Sequence, residues 1–238
     1  MMIKLPLLAA ALLPGAITSC VGTSGEDGGA MTTRVEQVAA FERLSVGGNY
    51  DVIVTTGNEP GVTIEGPENI LDDMIVEVEG DLLRIRQERS SWNWRGNDDV
   101  DIAIRVPMLK EVAASGASDI QIDRIETERF SGELSGAGEI DIADVTTDDL
   151  LLALSGAGEL NARGTTRNLR VGMSGAGEFN GAELTAENAD LRASGAGSIR
   201  ANVTGKATGG VSGAGDVTIT GGADCDIGTS GAGSVECS

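Results

Sequence analysis

One tetrapeptide governs what this chain can fold into. Ser-Gly-Ala-Ser opens at Ser115, and Ser-Gly-Ala-Gly follows at Ser135, Ser155, Ser174, Ser194, Ser212 and Ser230. The spacings are 20, 20, 19, 20, 18 and 18 residues. A short, nearly constant period over seven copies is the signature of stacked repeats, each burying its apolar face only against its neighbours. Helical-hairpin repeats need more than about thirty residues. The Leu-rich consensus of horseshoe repeats is absent. One coil of a β-solenoid per period remains.

The side-chain pattern agrees. Alternate residues are apolar ahead of the tetrapeptide (Leu150, Leu152, Leu154; Leu169, Val171, Met173) and again behind it (Ile140, Ile142; Leu160, Ala162; Val217, Ile219). Period two on both sides of a glycine-rich bend means two strands meeting at a corner with one face inward. A third segment, such as residues 143–147 or 182–186, completes the circuit, its single apolar residue (Ile125, Val145, Leu184 or Val203) pointing in. Glycine supplies backbone dihedrals closed to other residues, and Ala or Ser leaves room for coils stacked ~4.8 Å apart. The expected fold is all-β: a right-handed β-helix of about seven coils of 18–20 residues, roughly 30 Å tall. A left-handed helix would need a hexapeptide period, which the coils lack. Upstream, residues 49–54, 62–64, 75–78, 82–85 and 100–106 also alternate, and Glu79-Gly80-Asp81-Leu82 reads as a hairpin turn. They predict an irregular strand-rich cap, because an open coil is an unpaired edge. The expected organisation is a single domain over residues 35–238, with cap strands to residue 110 and coils from 111.

Composition removes several functions. The chain has 238 residues with 17 Lys+Arg against 37 Asp+Glu, a formal charge of −20, which argues against nucleic acid as a partner. Histidine is absent, so His general bases, Ser-His-Asp triads and His-ligated zinc are excluded. A glycine-rich phosphate cradle needs a helix N-terminus and usually a Lys, whereas this tetrapeptide lies between strands. No cofactor is called for.

The first twenty residues read as an address. Lys4 precedes an apolar stretch from Leu5 to Ile17, a signal-peptide pattern too short to span a membrane. Ile17-Thr18-Ser19-Cys20 resembles the bacterial lipobox, which predicts a mature chain beginning at a lipidated Cys20 and anchored in a membrane. An ordinary secretory signal cut nearby would leave Cys20 incidental. Val21 at the second position favours the outer membrane by the sorting rule of some Gram-negative bacteria. Residues 21–34 are rich in Gly, Ser and Thr and read as a flexible tether.

From about Phe41 onward the chain resembles the bacterial head GIN domain family, described as putative autotransporter adhesins. The resemblance rests on Phe41-Glu42-Arg43-Leu44-Ser45-Val46 with Asn49-Tyr50-Asp51-Val52, on Val106-Pro107-Met108-Leu109-Lys110-Glu111-Val112, and on the repeat itself. It implies a right-handed β-helix-like fold and an envelope or secreted location, with no catalytic motif.

Three features are candidate sites. Glu139, Glu159, Glu178 and Asp216 follow the tetrapeptide and would stack in adjacent coils. Carboxylates so placed could form a calcium ladder. Ser198 and Ser234 interrupt the series and the calcium nonapeptide is missing, so a solvated acidic stripe is the expectation. The loop holding Trp92, Trp94 and Arg95 has the composition of a recognition surface; packing of both Trp onto the cap, or a loose hairpin tip, is the alternative. Cys225 and Cys237 fall at inward positions of the last coil, and a disulfide there would seal the end of the rod. The expected function is a non-enzymatic envelope lipoprotein, an adhesin or scaffold engaging a surface glycan or an envelope protein. A regulatory, envelope-stress binding module is the alternative. A polysaccharide-active enzyme is disfavoured by the scarcity of Lys and Arg in the repeats.

Overall fold

The computed structural model describes residues 30–57, 59–88 and 100–238. In chain order the elements begin with β1 (Met31–Glu36), β2 (Arg43–Gly48), β3 (Asp51–Thr56), β4 (Gly61–Pro67) and a single helical turn, α1 (Glu68–Leu71). Next come β5 (Met74–Glu79), β6 (Leu82–Gln87), β7 (Asp101–Val106), β8 (Glu111–Gly116) and β9 (Asp119–Ile122). The repeats follow as β10 (Ile125–Gly136), β11 (Glu139–Gly156), β12 (Glu159–Gly175), β13 (Glu178–Gly195) and β14 (Ser198–Gly213). The chain closes with β15 (Asp216–Thr220), β16 (Asp224–Gly231) and β17 (Ser234–Cys237).

The repeats wind into a β-solenoid of about six turns. Seven tetrapeptides mark seven corners and therefore bound six turns, one fewer than the coils expected. Each turn has three sides. Face A precedes the tetrapeptide corner, face B follows it, and a short face C returns the chain. Successive turns pair in parallel with the tetrapeptides in register: Ser115, Ser135, Ser155, Ser174, Ser194, Ser212 and Ser230 form one unbroken ladder. Inside, the alternating residues stack like on like. Leu134, Leu154, Met173 and Ala193 line one slot of face A, and Ile140, Leu160, Phe179 and Ile199 one slot of face B, all buried. On face C, Ile125, Val145, Leu184 and Val203 point inward as expected. In the third turn Gly164 takes the slot between Val145 and Leu184.

The corner explains the repeat. Gly136 has φ +147°, and a Cβ there would run into the carbonyl oxygen of Gly116 in the turn below. Gly138 has no left-handed φ, yet its Cβ would strike the carbonyl oxygen of Ser118. The backbone thus approaches too closely for any side chain. That approach keeps the hydrogen-bond ladder running around the bend: Ala137 N–H donates to Gly116 O at 2.9 Å, Ala157 to Gly136 at 2.9 Å and Ala176 to Gly156 at 2.8 Å. Differences in turn length are taken up elsewhere. Register shifts fall between faces B and C, between Ile142 and Val145, Asn161 and Gly164, and Gly181 and Thr185, and once between faces C and A, between Ala186 and Asn188.

The upstream strands are more regular than an irregular cap. β2 and β3 lie in parallel register directly beneath β8 and β9. Their corner continues the ladder, with Ala117 N–H donating to Gly48 O and Asp119 N–H to Tyr50 O, both at 2.9 Å. This accounts for the odd first tetrapeptide: the buried Ser118 hydroxyl accepts from Tyr50 N–H at 3.2 Å, a role glycine could not fill. β6 and β7 form the next rung down, beneath β2 and β3, so spatial order departs from chain order. Antiparallel strands finish this end. β4 pairs with β7, β1 with β4, and β5 with β6 through the hairpin at Gly80 (φ +66°). Arg34 of β1 donates to Leu71 O at 2.5 Å, a carbonyl that the short helix leaves open, and to Met74 O at the start of β5 at 3.2 Å.

The other end has no such cover among the described residues. Ala223, Cys225, Ile227 and Val235 in the last rung are only partly buried, and Cys237 is exposed. A Cys225–Cys237 disulfide with Cα atoms 6.7 Å apart ties face A to face B there.

Candidate functional site

Face B brings the predicted carboxylates together. Glu139, Glu159 and Glu178 occupy one outward column in consecutive turns. Asp216 lies in the same column beyond Ser198, and accepts from the Ser234 hydroxyl at 2.6 Å. The column is longer than the sequence suggested. Below Glu139 it continues through Asp119, Asp51, Asp101 and Glu65, giving seven acidic residues on adjacent strands. Part of this signal was available, since Asp119 follows Ser-Gly-Ala-Ser as Glu139 follows Ser-Gly-Ala-Gly. The rest depended on β3, β7 and β4 stacking beneath β9, which no local pattern announces.

The column is solvated and only partly compensated. Glu139 accepts from Asn161 Nδ2 at 2.8 Å, and Glu178 is paired with Arg200. In both cases the donor sits one turn up and two residues along. Arg163 reaches Asp141 by the same diagonal at 2.6 Å. Glu65, Asp101, Asp119 and Glu159 have no ion-pair partner among the described residues. The column and the flat Ala-Gly corner line a shallow groove of about 430 Å³. Below it, Asp51, Asp101, Asp119 and Glu139 border a second depression of about 440 Å³ with Ile53, which is 56% exposed. The carboxylates point outward in parallel, one per strand, rather than converging. Among the described residues no group of three or more His, Cys, Asp or Glu could hold a metal ion. Carboxylates so ranked attract a diffuse counter-ion atmosphere.

At the bend from face C to face A, hydroxyls repeat instead. Thr127, Thr147 and Thr166 each donate to the carbonyl two residues on, at 3.0, 3.3 and 3.3 Å. Next to them Asp149 accepts from Arg129 at 3.0 Å and from Asn168 at 3.0 Å, and these bonds, Arg129 first, hold its carboxyl below the usual carboxylate range. At the capped end Arg43 does the same for Asp81. Tyr50 is buried at the foot of the corner ladder, its hydroxyl without a hydrogen-bond partner among the described residues, and burial pushes its ionisation up. Cys20 and the loop with Trp92, Trp94 and Arg95 lie outside the described residues. No helix among the described residues is long and apolar enough to cross a membrane.

A regular stack of parallel turns, apolar inside and with an acidic outer column, is a β-solenoid. Residues 40–223 match the family model described as "Putative auto-transporter adhesin, head GIN domain", and the chain belongs to that family. Among solved structures it is similar to a putative adhesin from Bacteroides fragilis, with 23% identity and TM-score 0.80, covering 87% of this chain and 97% of that one. A protein from Parabacteroides distasonis named as a putative lipid binding protein shares 20% identity at TM-score 0.73, over 89% and 98% of the two chains. A putative adhesin from Parabacteroides merdae shares 16% at TM-score 0.68, over 87% and 96%. At these identities the likeness is one of fold. No curated protein matches the sequence.

Proposed function

We propose that this chain is a non-enzymatic cell-envelope lipoprotein that stands on the outer membrane and presents its solenoid as an adhesive surface. The observation that carries the reading is the polarity of the stack. The described chain starts at Ala30, whose carbonyl accepts from Glu68 N–H at 3.0 Å among the antiparallel strands of one end. The disulfide-tied rung lies at the other end. A lipid on Cys20 and a short tether would hold the antiparallel end toward the membrane and raise the last rung away from it. Nine parallel strands stack along face B, from β7 through β3, β9, β11, β12, β13, β14 and β15 to β17, which gives a height of about 38 Å at ~4.8 Å per step. Columns that repeat at each step suit many weak, equivalent contacts, the basis of avidity.

Metabolic palmitate labelling with and without Cys20→Ala, followed by protease shaving of intact cells, tests the proposal. Label that disappears with Cys20→Ala, together with shaving sensitivity, is the expected result. Absence of label, or label with full protection from protease, overturns surface display.

A further inference from the structure

Face A carries glycine where the fold does not ask for it. From turn to turn its middle outward column reads Glu133, Ala153, Gly172, Arg192, Gly210 and Gly228. A Cβ at Gly172 or Gly228 would meet nothing within 4 Å, and one at Gly210 only the Gly228 carbonyl oxygen at 3.7 Å. None of the three has a positive φ. Glycine inside a strand weakens it, and it marks places where another backbone or a ligand comes close. The three glycines, with Ala193, Val211 and the corner serines, floor a wide, mainly apolar depression of about 750 Å³. From it rises Arg192, whose side chain is 74% exposed.

The charges on this face are ordered. The column beside the glycines reads Ser131, Leu151, Arg170, Asp190, Thr208 and Asp226, and the outermost column reads Arg129, Asp149, Asn168, Asn188, Lys206 and Asp224. Four cations stand against five carboxylates, so the face is nearly neutral on a chain of charge −20. Arg170 and Lys206 have no ion-pair partner among the described residues.

We infer that face A is a self-association surface: two copies pack face to face about a two-fold axis that runs parallel to the strands, between the Ser174 and Ser194 rungs. Under this symmetry each column meets its own copy with the turns reversed. Gly172 lies opposite Arg192 of the second copy, giving the long side chain a seat. Arg170 meets Asp190, Lys206 meets Asp149, and Arg129 meets Asp224. Ala153 meets Gly210, and Asn168 meets Asn188. No like charges are opposed. Moving the axis onto the Ser174 rung sets Arg170 against itself, and moving it onto the Ser194 rung does the same to Asp190 and Arg192. Six turns overlap, about 29 Å by about 23 Å, which buries roughly 1,300 Å² in total and falls within the range of specific interfaces. The reversal also sets the two solenoids antiparallel, with their N-terminal ends apart. Taken with the anchored-pillar reading, on which this last step rests, the second copy stands on a facing membrane, and adhesion is between like molecules.

The test is the mass of the full chain in non-ionic detergent, by light scattering over a concentration series. The wild type is expected to form dimers. Gly172→Arg, which has open space at its Cβ and stands beside Arg192 in its own copy, also faces Arg192 of the second copy and should weaken dimerisation at least tenfold. Gly172→Glu faces the same Arg192 and should preserve or tighten it. Arg170→Glu should weaken the dimer, and Asp190→Arg added to it should restore it. A monomer at every concentration overturns the inference, and so does equal weakening by Gly172→Arg and Gly172→Glu. Neither result depends on the palmitate label, so this surface and the membrane anchor fail or stand separately.

Discussion

Gly136 and Gly172 are both glycine for opposite reasons. At Gly136 a left-handed φ coincides with a carbonyl oxygen pressed against the missing Cβ. At Gly172 the backbone is ordinary and the space is open. Gly136→Ala should therefore cost about 3 kcal/mol or more, among the larger effects of single substitutions. Gly172→Ala should leave stability unchanged or raise it by about 0.5–1 kcal/mol. Urea denaturation of the two variants checks both, and similar losses would contradict the corner geometry. The apolar slots were readable from alternation alone because each inward residue depends only on its own strand. Gly164 was not, because its place in the core is set by the turn length ahead of it. Ser118 becomes intelligible only once Tyr50 is known to lie below.

Among elements, the last rung differs from every other. β16 and β17 pair on one side only, and their inward residues keep partial access to solvent. Asp224, Asp226 and Glu236 project from this rung, and charge on an edge strand discourages further pairing. The Cys225–Cys237 link closes a loop with sequence separation 12. Replacing both cysteines with serine should lower stability by about 2–3 kcal/mol. Reductant should reproduce that loss in the wild type and leave the double variant unaffected; a wild type indifferent to reductant would argue that the link contributes nothing. The pairing was legible from the position of the two cysteines. Their exposure was not, since inward alternation yields burial only where something lies above. The interleaving of β6 and β7 beneath β2 and β3 was equally hidden, because local periodicity names strands and not their neighbours.

For the molecule as a whole, the acidic column of face B sets the electrostatics. Carboxylates on adjacent strands stand ~4.8 Å apart and repel, and the Debye length is only ~10 Å at 0.1 M salt. Melting temperature at neutral pH should thus rise with sodium chloride. Calcium chloride at matched ionic strength should raise it no further, because the column screens rather than chelates. A specific calcium increment would show that the parallel carboxylates can converge after all. The corner ladder has a consequence of its own. Every tetrapeptide offers the turn above it the same carbonyls and the same empty notch. A duplicated turn could slot into the middle without renegotiating either neighbour, while a change to the cross-section would have to be made in all turns at once. Over evolutionary time, such a molecule can lengthen or shorten far more easily than it can change its girth.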